Sequence, residues 1–377
     1  MLEEITTALD AFNGARLPLL IGEPYYRPPE ALLSALARAS EDETHRYCDP
    51  SGSPALKQKI CELERIRGIE IEPANVVIGN GSKSLLFGLL GLVGAKGAAV
   101  PLPAYPAVLK QLKLLDIPCY GFATDAPRFR LSTGDLDGIP GGVSCLVLSS
   151  PSNPAGVFHD PEEMAEISGW CSRSGTTLIA DEVYCDLAYG DDYQSFGCHD
   201  PSLQHSVIVR SFSKSLGICG WRIGYVIAAE ETARRLAGWQ ATALNPPSTL
   251  IQRALEIYLP GDGGWIAEKR RYYSETAGIL RDSLGKLGIP TAEPGGGFYL
   301  FCKVSHLLNA MGLENSLEFC RRLAEKAGIG TWPGEDFGLP GWLRISFGRI
   351  DPESRKSTLA EIERRFRMFI NQAAGMS

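Results

Sequence analysis

The sequence lacks the features that mark several functional classes. Its ten cysteines stand at 48, 61, 119, 145, 171, 185, 198, 219, 302 and 320, with no C-x-x-C pair and no tight cluster. Zinc ribbons and thioredoxin-like centres need that short spacing, so neither is expected. Thiols within apolar runs, such as Cys145 in VSCLVL, behave as small hydrophobes, and the set reads as reduced and mostly buried. Long hydrophobic runs are also missing. The longest, Ser84 to Ala95, is bounded by Lys83 and Lys96 and is too short to cross a bilayer. The N-terminus, MLEEITTALDAF, has neither the basic nor the apolar region of a secretory signal, which points to the cytosol. There is no excess of basic charge: the net charge of −7 gives no electrostatic ground for binding nucleic acid. No internal repeat, low-complexity tract or charge block interrupts the chain.

What is present is the balance of a soluble globular chain, 44% hydrophobic and 21% charged. At about 150 residues per domain, 377 residues imply two or three domains. Forty-one glycines and twenty-five prolines without a period mark many specific turns, as in α/β enzymes. The centre alternates short β-rich runs with helical segments, the pattern of a mostly parallel sheet covered by helices. Val143 to Leu148 reads as a strand that stops at Ser-Ser-Pro-Ser-Asn-Pro. Asp160 then caps a helix with Pro161 at its first position, and the helix ends near Gly175. Thr176 to Ala180 and Ser206 to Arg210 read as the next two strands. Polar residues follow each run: Ser152 and Asn153, then Asp181, Glu182 and Tyr184, then Ser211, Ser213 and Lys214. Ligands of open α/β sheets sit outside the carboxyl ends of the strands, so these three clusters border one crevice.

Earlier in the chain, Val76 to Ile78 reads as a strand, and Gly79-Asn80-Gly81-Ser82-Lys83 as a turn into an apolar helix. Free N–H groups at such a helix start suit a phosphate. Beyond about residue 285, a β-prone run at Phe298 to Cys302 and a strand at Trp342 to Phe347 precede a charged helix opened by Asp351 and Pro352. A long helix from Gly264 to Leu287 joins this part to the centre. The expected division is a large domain over 42–284 and a smaller α+β domain built from 1–41 and 285–377.

Lys214 stands among small hydroxyls just past a strand, with Arg222 following in Gly220-Trp221-Arg222-Ile223-Gly224. A partly desolvated lysine near another cation has its neutral amine favoured, which imine formation requires. An imine-forming lysine, an arginine, an acid and a phosphate cradle together point to pyridoxal 5′-phosphate. From Ile21-Gly22-Glu23-Pro24 to Leu343-Arg344-Ile345-Ser346-Phe347, these segments resemble the aspartate aminotransferase superfamily, the fold-type I, class I/II pyridoxal 5′-phosphate enzymes.

The resemblance implies a mostly parallel seven-stranded sheet sandwiched by helices, plus the smaller α+β domain. It implies an aminotransferase that moves an amino group between an L-amino acid and a 2-oxo acid, with Lys214 holding the cofactor as an internal aldimine and shuttling a proton. Asp181 would keep the pyridine nitrogen protonated, and Tyr184 and Asn153 would hydrogen-bond the phenolic oxygen. Gly81, Ser82 and Lys83 would hold the phosphate, with Ser211, Ser213 and Arg222 opposite. Tyr105 would stack on the ring. Tyr47 would reach the phosphate of the other subunit, which implies a homodimer with shared active sites. Arg344 would bind the substrate α-carboxylate, helped by Gly22 and Asn153.

The same fold also admits lyases, cyclases and decarboxylases, including carbon–sulfur lyases and histidinol-phosphate-type relatives, and non-catalytic cofactor-binding regulators. The last usually carry a DNA-binding module, for which no room is expected before Gly22. The family's Gly-Glu-Pro-Asp-Phe reads Gly22-Glu23-Pro24-Tyr25-Tyr26 here, an acid replaced beside the substrate mouth. For a second, side-chain-binding arginine, Arg16 and Arg27 are candidates by position alone.

Overall fold

Strands form where aliphatic and β-branched residues run uninterrupted between glycine, proline and polar turn residues. The computed structural model describes residues 1–373. Its strands are β1 (Leu17–Pro18), β2 (Val76–Gly79), β3 (Ala98–Leu102), β4 (Cys119–Ala123), β5 (Cys145–Ser149) and β6 (Thr177–Asp181). They continue with β7 (Ser206–Ser211), β8 (Gly224–Ile227), β9 (Tyr299–Lys303), β10 (Ile329–Gly330), β11 (Trp332–Pro333) and β12 (Trp342–Ser346).

Seven of these build one sheet in the order β2-β8-β7-β6-β5-β3-β4. All its pairings are parallel except those of β8, which runs antiparallel to β2 and β7. Successive side chains of a strand point to opposite faces. Leu146, Leu148, Leu178, Ala180 and Ile208 accordingly join one core, with the helices Pro54–Ile66, Pro161–Ser174 and Thr249–Tyr258. Cys145, Val147, Ile179, Val207 and Val209 join the other, with Ser82–Val93, Pro106–Leu114 and Glu230–Ala243. Burial on both faces explains why these strands are apolar throughout rather than alternating. The fold is α/β, a mostly parallel seven-stranded sheet between helices.

A further core gathers residues from both ends of the chain, Ile5 to Tyr26 and Ile289 to Phe369, with the second half of the helix Gly263–Gly285. There β11, β12 and β9 form an antiparallel sheet with β12 in the middle, and β1 pairs with β10.

Local chemistry sets several boundaries. The Asp160 carboxylate accepts from the Glu163 N–H at 3.0 Å in a capping box, and Gly175 ends that helix at φ +69°. The last helix corrects the sequence reading: it starts at Arg355 rather than at Asp351. The Asp351 carboxylate instead accepts from the Ser354 N–H (3.0 Å) and hydroxyl (2.6 Å), a side-chain turn that competes with helix entry. All ten cysteines are free thiols, but only half are fully buried, and Cys119 on the edge strand β4 is exposed. No helix among the described residues is long and apolar enough to cross a membrane.

Candidate active site

Parallel register aligns the carboxyl ends of β5, β6 and β7, with Ser149 opposite Asp181 and Asp181 opposite Val209. The residues that leave these ends face a cleft open to solvent, together with the helix start at Ser82 and the segment Leu20–Glu23.

Asp181 is buried, and its Oδ1 has no hydrogen-bond partner. Burial pushes its pKa up to about 7, with the Lys214 ammonium working in the opposite sense. The Val183 N–H also holds the pKa down, but a buried carboxylate with one oxygen unpartnered is costly, and a cation beside it would restore the charge. Tyr184, also buried, shares a 2.6 Å hydrogen bond between its hydroxyl and that of Tyr299. Burial, then the Tyr299 phenol, holds the Tyr184 phenol well above its ordinary pKa.

At the end of β7, the Ser211 hydroxyl accepts from the Ser213 N–H (3.1 Å) and caps the short helix Phe212–Ser215, which carries Lys214. The Lys214 Nζ donates to the Gly22 carbonyl at 2.6 Å and lies 3.6 Å from the Cys219 Sγ. Because β8 is antiparallel to β7, its first residue, Gly224, pairs with Ser211, and Arg222 stands just before it. Arg222 adopts φ +56°, donates from Nη1 to the Cys219 carbonyl (2.8 Å), and lies against Gly81. Gly81 caps the helix Ser82–Val93 at φ +81°, and a Cβ there would meet the Arg222 Nη2 at 2.5 Å. Glycine is therefore favoured by backbone conformation, and a side chain there would displace the Arg222 guanidinium. The helix N-terminus, two hydroxyls and a guanidinium form an anion cradle.

Arg344 is 1% exposed. Its Nη1 donates to the Asn153 Oδ1 (2.9 Å) and its Nη2 to the Leu20 carbonyl (2.6 Å), while its Nε has no partner. Burial works against its charge, and only the phenols of Tyr299, Tyr184 and Tyr105 act the other way. The hydrogen-bond partners of Lys214, Arg222 and Arg344 are all uncharged groups. Lys83, with its ammonium 5.8 Å from the Tyr105 ring centre, adds a fourth cation. The site is thus an excess of positive charge around one buried, only partly satisfied carboxylate. A phosphorylated pyridine ring fits this donor set: its phosphate suits the cradle, its ring nitrogen suits Asp181, and its aldehyde suits Lys214.

The cleft gathers Gly22, Ser82, Lys83, Tyr105, Asn153, Asp181, Tyr184, Ser211, Ser213, Lys214, Arg222 and Arg344, and Gly81 closes against Arg222. Tyr47 does not line it and stands 85% exposed. Arg16 pairs with Asp10 at 2.6 Å, and Arg27 is exposed; neither lines the cleft. Sequence reasoning missed Tyr299, Trp332 and Cys219. The first two could have been found as cross-strand neighbours of Arg344, once its strand was expected beside the run at Phe298–Cys302.

Comparison with known proteins agrees with this chemistry. The profile of the family Aminotransferase class I and II matches residues 16–362. The aspartate aminotransferase of Geobacillus stearothermophilus is 28% identical over 334 residues, 86% of this chain and 85% of the relative. A probable aspartate/prephenate aminotransferase of Aquifex aeolicus is 30% identical over 344 residues, 86% of this chain and 85% of that one. The crystal structure of the Thermotoga maritima aspartate aminotransferase superposes with a TM-score of 0.87 at 26% identity, covering 97% of this chain and 95% of that one. The chain belongs to the class I and II aminotransferases, enzymes that use pyridoxal 5′-phosphate to move an amino group between an amino acid and a 2-oxo acid.

Proposed function

We propose that the cleft between β5, β6, β7 and Arg344 is the active site of this aminotransferase, and that L-aspartate is among its amino donors. The carrying observation is Arg344, a buried guanidinium with an unpartnered Nε and only uncharged hydrogen-bond partners. Such a group is stabilised by an anion that can accept a planar fork, and a substrate α-carboxylate has that geometry. The names of the relatives support an acidic donor.

When bound, pyridoxal 5′-phosphate supplies an aldehyde for covalent capture of an amine and a ring that draws electrons from the bonds at Cα. The protein's part is division of labour. Gly81, Ser82 and Lys83, with Ser211, Ser213 and Arg222, hold the phosphate end, Tyr105 covers the ring, and Asp181 keeps a proton on the ring nitrogen. Tyr184 and Asn153 hydrogen-bond the phenolic oxygen. Arg344 fixes the substrate carboxylate and so orients the Cα–H bond, with Asn153 and the backbone at Gly22 beside it. The Lys214 amine, released from Gly22, takes the Cα proton and returns it at the far side of the reaction.

Further parts of the reading concern the whole molecule. The exposure of Tyr47 suits a side chain that enters the neighbouring site of a homodimer. A large domain over 42–284 and a discontinuous one over 1–41 and 285–377 accord with a core drawn from both chain ends. Ten free thiols suit the reducing cytosol.

Borohydride reduction of the holoenzyme and peptide mapping test the lysine: the pyridoxyl group is expected on Lys214, and a label elsewhere refutes the assignment. Mixing holoenzyme with single amino acids and following conversion to the pyridoxamine form tests the donor. Aspartate is expected to convert it with formation of oxaloacetate; release of ammonia and pyruvate without that form would indicate a lyase instead.

A further inference from the structure

The Arg344 guanidinium is held between aromatic rings from both neighbouring strands. Trp332 and Arg344 are direct partners across β11 and β12, so their side chains leave the same face of the small sheet. Tyr299, on β9, pairs with Ser346 and lies diagonal to Arg344 on that face. Because β12 lies between β11 and β9, the two rings approach from opposite sides. The guanidinium carbon is 4.6 Å from the Trp332 ring centre and 4.3 Å from that of Tyr299.

Both rings are themselves anchored. The Trp332 Nε1 donates to the Asp336 Oδ2 at 2.8 Å, and its ring meets Phe337 edge-on at 5.6 Å between centres. Tyr299 is tied to Tyr184 through their hydroxyls. Trp332 also lines the cleft and is only half-buried, so its place is not set by core packing alone.

We propose that Trp332 is a positioning residue for Arg344: working against Tyr299, it fixes the plane of the guanidinium so that its cleft-facing edge is presented to a carboxylate. The inference rests on Arg344 being the carboxylate-binding residue. A cation stacked on an indole face is restrained in orientation and keeps its in-plane N–H groups free. Acting through Arg344, Trp332 bears on the α-carboxylate that all donors share, so its effect in this role is common to all donors.

The test uses holoenzyme and a panel of amino donors. Trp332→Leu is expected to raise KM by about five- to tenfold for every donor, by one common factor, with kcat within about twofold. Trp332→Phe, which keeps a ring, is expected to restore most of the affinity, a rescue that a merely structural role would not produce. Should the leucine variant not fold, Trp332→Gln removes the ring while keeping a donor toward Asp336 and gives the same reading. Unchanged KM values in the ringless variant, or unequal changes among donors, overturn the proposal. Arg344→Lys separates the two levels: a KM rise of at least about tenfold for all donors keeps the carboxylate reading, and an unchanged KM refutes that reading itself.

Discussion

Asp181 shows how burial can displace a titration. In the cofactor-free protein its carboxyl is buried and unpartnered at Oδ1, and it titrates at about 7. The unfolded chain releases the same proton near pH 4. Raising the pH through this window therefore deprotonates the unfolded state first, and the cofactor-free enzyme loses stability between about pH 4 and 7. The full displacement is worth no more than about 4 kcal/mol. Asp181→Asn is expected to flatten that dependence while abolishing most turnover. Thermal melts of cofactor-free wild type and variant from about pH 5 to pH 8 check this, and parallel curves would refute it.

At the scale of elements, capping groups and glycines carry different kinds of consequence. Asp160→Ala removes the capping box of the helix Pro161–Ser174 and is expected to cost about 1 kcal/mol of stability with little effect on activity. Gly81→Ala places a Cβ 2.5 Å from the Arg222 guanidinium in a backbone of positive φ. It is expected to weaken cofactor affinity by more than tenfold, read from the phosphate end by equilibrium titration, with a much smaller change in melting temperature. The same contrast explains what could be read from sequence. Strand ends announce themselves, because apolar runs such as Ser206–Ser211 break abruptly into polar residues, and Asp181, Ser211 and Lys214 were legible for that reason. The two-residue strand Trp332–Pro333 has no period to detect, and its value lies wholly in facing Arg344 across the sheet. The helix at Arg355 starts three residues beyond the expected first position, Pro352, because Asp-Pro suits both a helix start and a side-chain turn, and the Ser354 contacts decide between them.

At the scale of the molecule, the proposed sharing of each site between two subunits gives a complementation test. Lys214→Ala and Tyr47→Ala subunits are each expected to be impaired. When the two are mixed and allowed to exchange, one site of each hybrid dimer pairs an intact Lys214 with an intact Tyr47. Specific activity above that of the separate variants is the expected result, and strict additivity after exchange would argue for self-sufficient subunits.

The antiparallel β8 has one more consequence, which concerns the order in which the site comes into being. It turns the chain back so that Arg222 meets Ser211 and Gly81, all within the first 225 residues, whereas Arg344 is held by Leu20 from across nearly the whole sequence. On the proposed roles, every residue of the anion cradle is synthesised well before Arg344, the arginine assigned to the substrate carboxylate. The parts assigned to cofactor and to substrate are thus made at different times, the first within the large sheet and the second only once the end of the chain has returned to its beginning.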